Sequence, residues 1–160
     1  MKPVVVIRPQ PGCAATVAAA RAMGLDARSF PLFEVRPLAW DAPDPAGFDA
    51  LLIGSANALR HGGAGLARYH GMPAYVVGET TAREARAAGL EIAAIGEGGM
   101  QRLLGQLRPG HARLLRLAGR ERVSLDVPPG VTISECVTYA SERLPLPGEL
   151  AALLNKGALV

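Results

Sequence analysis

Short apolar runs alternate with helical patterns along this chain. The runs "VVVIR" (4–8), "DALLIG" (49–54) and "PAYVVG" (73–78) are apolar almost throughout, as strands covered on both faces require. Between them lie stretches with helical periodicity, such as "CAATVAAARAMG" (13–24), which Gly24 ends. Alternation at roughly 20–25 residues per unit predicts an α/β fold, with doubly wound parallel sheets and helices on both faces.

The rest of the chain repeats this alternation. Pro31 and Pro37 exclude a helix from 27–38, which is therefore extended. The segment 120–130 is predicted to be a short helix or turn, and 158–160 has the pattern of a strand that is just beginning. Further strands are predicted at 90–96, 112–119 and 131–141, and further helices at 55–63, 81–89, 98–107 and 147–157.

The order of these elements predicts two flavodoxin-like lobes. The middle of the chain carries enough strands and helices to close a small domain, whereas the N-terminal strand–helix–strand cannot close a core alone. Its natural partner is the C-terminal helix and strand, and the loop 40–47, rich in Pro and Asp, suits a crossing between lobes. We expect a discontinuous, incomplete first lobe (1–38 plus 137–160) and an inserted second lobe (39–136).

Composition indicates a globular protein with an aliphatic core, since 49% of residues are hydrophobic and only 4% aromatic. The net charge is +3, carried almost entirely by arginine, which suits carboxylates and phosphates; base composition of the genome explains the same enrichment. The cations form no basic cluster, so no nucleic-acid partner is expected. No apolar stretch approaches the ~20 residues of a bilayer span or resembles a signal peptide. We expect a cytoplasmic protein without a membrane partner.

The cysteines and histidines show no metal-binding spacing. Cys13 and Cys136 lie far apart, and in a reducing compartment we interpret both as small apolar residues. His61, His70 and His111 are scattered, without acidic neighbours at ligand spacing. No bound metal is expected.

The turns that follow the strands are the candidates for chemistry. They are Gly54–Ser55, Gly78–Thr81, Gly96–Gly99 and Gly119–Arg120. In a doubly wound sheet these turns feed helix N-termini, whose free N–H groups and positive dipole end favour anions.

The second of these turns also has a purely structural explanation. Gly78 permits a tight exit from the strand, and Thr81 and Glu84 fit a capping box at the start of the helix. Because any turn from a strand into a helix favours these residue types, spacing alone favours capping over ligand binding.

Tyr139 is a candidate of a different kind. It lies near the carboxyl end of a predicted strand, beside the crossing between lobes, where clefts form. A phenol there can donate a hydrogen bond or act as a general acid. The alternative is a half-buried aromatic ring that seals the contact between lobes.

Taken in order, "PLFEVRPL", "DALLIGSANAL", "PAYVVGETTAREARAAGL", "LLRLAGRERVSL" and "ECVTYAS" resemble the uroporphyrinogen-III synthase family over essentially the whole chain. The resemblance implies a cofactor-free lyase of haem biosynthesis whose two lobes hold the linear tetrapyrrole hydroxymethylbilane, a polycarboxylate, between them. The enzyme removes water, inverts the last pyrrole ring and closes the macrocycle to uroporphyrinogen III.

The resemblance also implies roles for particular residues. Tyr139 is the candidate acid that assists departure of the hydroxyl group, because a phenol keeps its proton at neutral pH. Backbone amides of three turns would bind the substrate's carboxylates. The implied substrate-binding residues are Ser55, Ala56, Asn57, Gly78, Thr80, Thr81, Gly119 and Arg120.

Members of the family extend beyond the position that matches Val160, and the remainder supplies the rest of the first lobe. We therefore expect exposed apolar surface on that lobe, which favours a homo-oligomer. The sequence leaves two alternatives to catalysis by this chain: a non-catalytic module that binds tetrapyrroles or other anions, and an interaction module on the same fold.

Overall fold

The computed structural model describes residues 2–160, which form five α-helices, eight β-strands and two short 3-10 helices. None of the helices in this part of the chain is long and apolar enough to cross a membrane. The strands are β1 (Val4–Val6), β2 (Ala27–Ser29), β3 (Phe33–Pro37), β4 (Ala50–Ile53), β5 (Pro73–Val77), β6 (Glu91–Gly96), β7 (Arg113–Gly119) and β8 (Thr132–Arg143). The α-helices are α1 (Gly12–Ala22), α2 (Ala56–Arg60), α3 (Glu79–Ala87), α4 (Met100–Leu104) and α5 (Gly148–Asn155), and the 3-10 helices are Pro45–Gly47 and Gly63–Tyr69.

The chain divides into two compact units, 1–35 with 141–160 and 36–140. In the first unit β1 and β2 pair in parallel, and α1 packs on them through buried Cys13 and Val17. Leu159 forms a single parallel bridge with Val4. The beginning strand predicted at 158–160 is therefore confirmed as a one-residue bridge.

The second unit is built on a sheet of order β3-β8-β7-β4-β5-β6. Strands β4 to β8 are joined by parallel pairings. Successive residues of β4 enter opposite cores, since Leu51 and Ile53 lie in one cluster and Leu52 lies in the other. Both faces of the central strands are thus covered, which is why their sequences are apolar throughout.

The strand order reverses direction at β4. From β4 the chain proceeds through β5 and β6 on one side, and then returns to place β7 and β8 on the other. The connections that follow the carboxyl ends of β4 and β7 therefore run in opposite directions along the sheet. Doubly wound sheets bind their ligands at such a switch point.

Two element predictions are met only in part. Of the short helix or turn predicted at 120–130, the segment forms no helix, but it has a bend at 120–121 and a turn at 129–130. Its backbone is held instead by Gln101, whose side chain accepts from Asp126 N and donates to Asp126 O, both at 2.9 Å. The helix predicted at 98–107 is shorter, because Gly98 and Gly99 adopt φ of 83° and 104° and α4 begins only at Met100.

Tyr75, in β5, makes a buried polar contact with the loop that precedes β7. Its side chain is fully buried, yet its hydroxyl accepts from Arg108 N at 2.8 Å and bonds to His111 Nδ1 at 2.7 Å. The hydroxyl thereby fixes the loop between α4 and β7 against the sheet.

We predict that Tyr75→Phe lowers the free energy of unfolding by about 1–3 kcal/mol, because it leaves a buried N–H without its partner. Urea titration followed by fluorescence of Trp40, the single tryptophan, measures this change in the same unit. Tyr139→Phe is the matched control, since the Tyr139 hydroxyl has no hydrogen-bond partner among residues 2–160. Equal effects of the two substitutions would contradict the prediction.

Asp49 joins the starts of β4 and β7. Its carboxylate accepts from Ala112 N at 3.0 Å and Arg113 N at 2.7 Å, and pairs with the Arg113 guanidinium at 2.7 Å. The hydrogen bonds from Arg113 side chain and backbone, followed by that from Ala112, lower the pKa of Asp49 far below its ordinary value.

A depressed folded-state pKa contributes stability above the unfolded pKa of about 4, and this contribution is lost as the pH falls toward the folded value. We therefore expect Asp49→Asn to destabilise the protein more at pH 7 than at pH 3. Urea titrations at both pH values measure the difference. Asp126→Asn is the control, because the exposed Asp126 side chain makes no hydrogen bond within residues 2–160. A constant penalty for Asp49→Asn across this range would refute the linkage.

Candidate active site

A pocket of about 230 Å³ lies within the second unit at the switch point. Gly54 and Ser55, which follow β4, form one side, and Gly119, the last residue of β7, forms another. We call it the Gly119 pocket. Its remaining lining residues are Val77, Gly99, Met100, Arg116, Leu117, Ala118, Glu121, Arg122, Val123 and Tyr139.

Gly119 and Tyr139 face each other across the β7–β8 pairing, in register as partners. A Cβ placed on Gly119 would lie 2.7 Å from Cε2 and Cζ of Tyr139 and 2.9 Å from its hydroxyl. Only glycine allows the phenol ring to lie this close to the strand end. The half-buried ring also lies near His61, with ring centroids 6.4 Å apart.

Three charged side chains form a network in one wall of the pocket. Arg116 is 4% exposed, and its Nη1 donates to Glu135 Oε1 at 2.9 Å and to Val123 O at 3.0 Å. The other carboxylate oxygen of Glu135 accepts from Arg122 Nε at 2.6 Å. Burial raises the pKa of Glu135, but Arg122 and Arg116 outweigh burial and hold that pKa below its ordinary value.

The start of α2 uses its own hydroxyl cap. Ser55 is extended, and its Oγ accepts from Asn57 N at 3.2 Å. Ala56 is buried beneath the turn, so Ser55 is the member of this group that lines the pocket. Because Ser55 Oγ covers the Asn57 N–H, this turn offers fewer free donors than its position suggests.

The family model described as uroporphyrinogen-III synthase HemD matches residues 14–159. The chain belongs to the uroporphyrinogen-III synthase family. This family comprises cyclising lyases of tetrapyrrole synthesis, and membership assigns the protein a role in haem biosynthesis.

Solved structures agree on the fold. A mutant uroporphyrinogen III synthase from Thermus thermophilus is similar with a TM-score of 0.62 and 19% identity, over 99% of this chain and 70% of that one. A uroporphyrinogen-III synthetase from Helicobacter pylori is similar with a TM-score of 0.60 and 20% identity, over 95% and 67%. No curated protein sequence matches. These similarities confirm the predicted two-lobed α/β fold.

The family-implied residues of the second turn, Gly78, Thr80 and Thr81, lie outside the Gly119 pocket. Gly78, with φ of 82°, precedes α3 directly and makes the predicted tight exit. Thr80 is exposed on the first turn of the helix, whereas Thr81 is 4% exposed and packs inward. Val77, the last residue of β5, does line the pocket.

The capping box predicted for this turn is wrong. Because Gly78 ends the strand abruptly, α3 begins at Glu79, and Thr81 is already its third residue, with no side-chain cap bond. Glu84 accepts instead from Arg60 Nε at 3.3 Å. The side chain of Thr81 fills core space rather than covering a free N–H.

Arg120, the other member of the Gly119 turn, is exposed and lies outside the pocket lining. Its backbone N donates to Tyr139 O at 2.9 Å and so extends the β7–β8 pairing. Arg116 and Arg122 are the cations that line the pocket, and the sequence analysis missed both. The available signal was a charged residue inside the apolar run "LLRLAG", since buried arginine is rare without a partner.

Among the described residues, no three or more His, Cys, Asp or Glu side chains are arranged to hold a metal ion. The side-chain donors that line the Gly119 pocket include two guanidinium groups and a phenol, which suit anionic oxygen atoms.

We predict that Gly119→Ala forces the Tyr139 ring away from the end of β7, because the new methyl group would overlap it. Overpacking of this kind costs typically about 1–3 kcal/mol of unfolding free energy, which urea titration measures. Gly47→Ala is the control, as a Cβ there meets nothing within 4 Å. A Gly119→Ala variant as stable as the control would show that Tyr139 is not held as described.

Proposed function

We propose that this chain acts as a uroporphyrinogen-III synthase, cyclising hydroxymethylbilane with loss of water and inversion of the last pyrrole ring. The observation that carries the proposal is the phenol of Tyr139, which lines the pocket at the switch point together with Gly119 and Ser55. Its hydroxyl makes no hydrogen bond within residues 2–160. Family membership supports the reaction class.

The size of the Gly119 pocket limits what it can hold. Pockets that enclose a drug-sized ligand have volumes of roughly 300–1,000 Å³, and this one measures about 230 Å³. It therefore suits one pyrrole ring or its acidic side chains and not a four-ring chain. The remaining rings need other surfaces, for which the family-implied turn at Gly78, Thr80 and Thr81 is our proposal.

Tyr139 would serve as the general acid at the reacting end of the substrate. The phenol donates its proton to the leaving hydroxyl group, which departs as water and leaves an azafulvene cation on the first ring. The substituted carbon of the last ring attacks this cation to give a spiro intermediate. The bond from that carbon to the methylene of the third ring then breaks, and this methylene bonds to the unsubstituted α-carbon of the last ring, which closes the macrocycle with that ring inverted. The proton released when the pyrrole becomes aromatic again restores the phenol.

Holding the two reacting rings together supplies the other part of catalysis. Turn amides and guanidinium groups bind carboxylates that do not react, and so keep the flexible tetrapyrrole coiled with its ends close. Of the turns predicted for this role, those at Ser55 and Gly119 line the pocket together with Tyr139.

The test is incubation of the full chain with hydroxymethylbilane generated enzymatically in the same tube. We expect the type III isomer to form in excess of the spontaneous type I isomer, as measured by chromatography of the oxidised porphyrins. Tyr139→Phe should lower turnover by about 10²–10⁴-fold, the usual contribution of a general acid.

The hydroxyl of Tyr139 makes no hydrogen bond within residues 2–160, so Tyr139→Phe should fold normally and serves as its own structural control. Unchanged turnover in this variant would remove Tyr139 from the mechanism. Type I isomer alone from the wild-type chain, together with saturable porphyrin binding, would favour the non-catalytic binding module over the synthase.

A further inference from the structure

Arg116 has an unusual hydrogen-bonding state for a buried cation. Its side chain lines the Gly119 pocket while remaining 4% exposed. Only Nη1 makes hydrogen bonds, to Glu135 and to Val123 O. Nε is buried and has no partner among residues 2–160, and Nη2 makes no hydrogen bond within them either.

The unused atoms form the side of the guanidinium group that best matches a carboxylate. Nε–H and one Nη2–H are parallel donors, and a carboxylate accepts both in a bidentate pair. Leaving a buried donor unpaired is costly, so the Nε–Nη2 edge gains more from an anionic ligand than a solvated arginine would.

The neighbouring charges leave this edge free for a ligand. Glu135 is Arg116's register partner on β8, and its carboxylate is shared between Arg116 Nη1 and Arg122. Two guanidinium groups around one carboxylate leave a positive balance. Glu121 also lines the pocket but is exposed, where solvent and salt screen its charge.

Access requires a small movement of the covering segment. Nε is shielded from water, and Val123, whose carbonyl accepts from Arg116, lies in a stretch without helix or strand. Its side chain is 71% exposed, so displacing this residue uncovers little apolar core.

We infer that Arg116 is a substrate-binding residue, whose Nε–Nη2 edge receives one side-chain carboxylate of the tetrapyrrole in the Gly119 pocket. The inference rests on the proposed function for its substrate class. The Arg116 site differs from the backbone-amide sites because its donor is a fixed side-chain cation, which lies beneath the ring that reacts near Tyr139. This cation fixes the orientation of that ring.

Equilibrium binding tests the inference without requiring turnover. The probes are uroporphyrin III, which carries acetate and propionate side chains, and coproporphyrin III, in which methyl groups replace the acetates. For the full chain, we expect Arg116→Gln to raise the Kd for uroporphyrin III by about tenfold or more, as loss of a charged hydrogen-bonded pair implies. Arg83→Gln removes one exposed charge from α3 and should change Kd by less than about twofold.

The two probes identify which side chain is bound. A loss confined to uroporphyrin III assigns an acetate, and an equal loss for both assigns a propionate. Equal affinities of wild-type protein and Arg116→Gln for both probes would overturn the inference. Failure of the wild-type chain to bind either probe would contradict the proposed function itself.

Nuclear magnetic resonance of ¹⁵N-arginine-labelled wild-type protein gives an independent measurement, should Arg116→Gln fold poorly. The Arg116 Nε–H signal, assigned by its absence from Arg116→Lys, should shift when uroporphyrin III binds. An unmoved signal at saturating porphyrin would show that any loss in Arg116→Gln is structural and would overturn the inference.

Discussion

The parallel pairing of β4 with β7 is the constraint on which the site depends. Leu51, Leu52, Leu115 and their neighbours are fully buried on both faces of the sheet, so neither strand can shift by one residue without exchanging its two cores. This fixed register brings Gly54 and Gly119 to the same edge. The position of the pocket is thus a consequence of core packing.

Strand β7 contributes to the pocket in two different ways. Its last residue is Gly119, which lets the Tyr139 ring approach the backbone. Arg116, three residues earlier, lines the pocket with its side chain. The pairing with β8 supplies a partner for each position, Glu135 for Arg116 and Tyr139 for Gly119. A register shift between Ala118 and Gly119 accompanies this change from an ion-pair partner to an aromatic one.

Prediction from the sequence is correct where local pattern and tertiary packing agree. Runs such as "ALLI" and "YVV" predict covered strands, and the turns after them follow from the rule for parallel sheets. It failed where a neighbour decides the outcome. Thr81 has the residue type of a cap, but α3 begins at Glu79, directly after Gly78. The segment 120–130 forms no helix, and the distant Gln101 holds Asp126 within it.

The residues of the pocket differ in the same way, since some carry a local sequence signal and others depend on a partner that is distant in sequence. Ser55, Gly119 and Tyr139, which line the pocket, could be proposed from the sequence because strand ends and aromatic residues are local signals. Arg116 was hidden inside an apolar run, and its meaning depends on Glu135, which is distant in sequence but adjacent in the sheet. A buried ion pair is weak evidence for stability, since desolvation offsets much of the attraction. An arginine that satisfies one Nη with a carboxylate and leaves its Nε–Nη2 edge unpaired is therefore better explained by a ligand than by the fold.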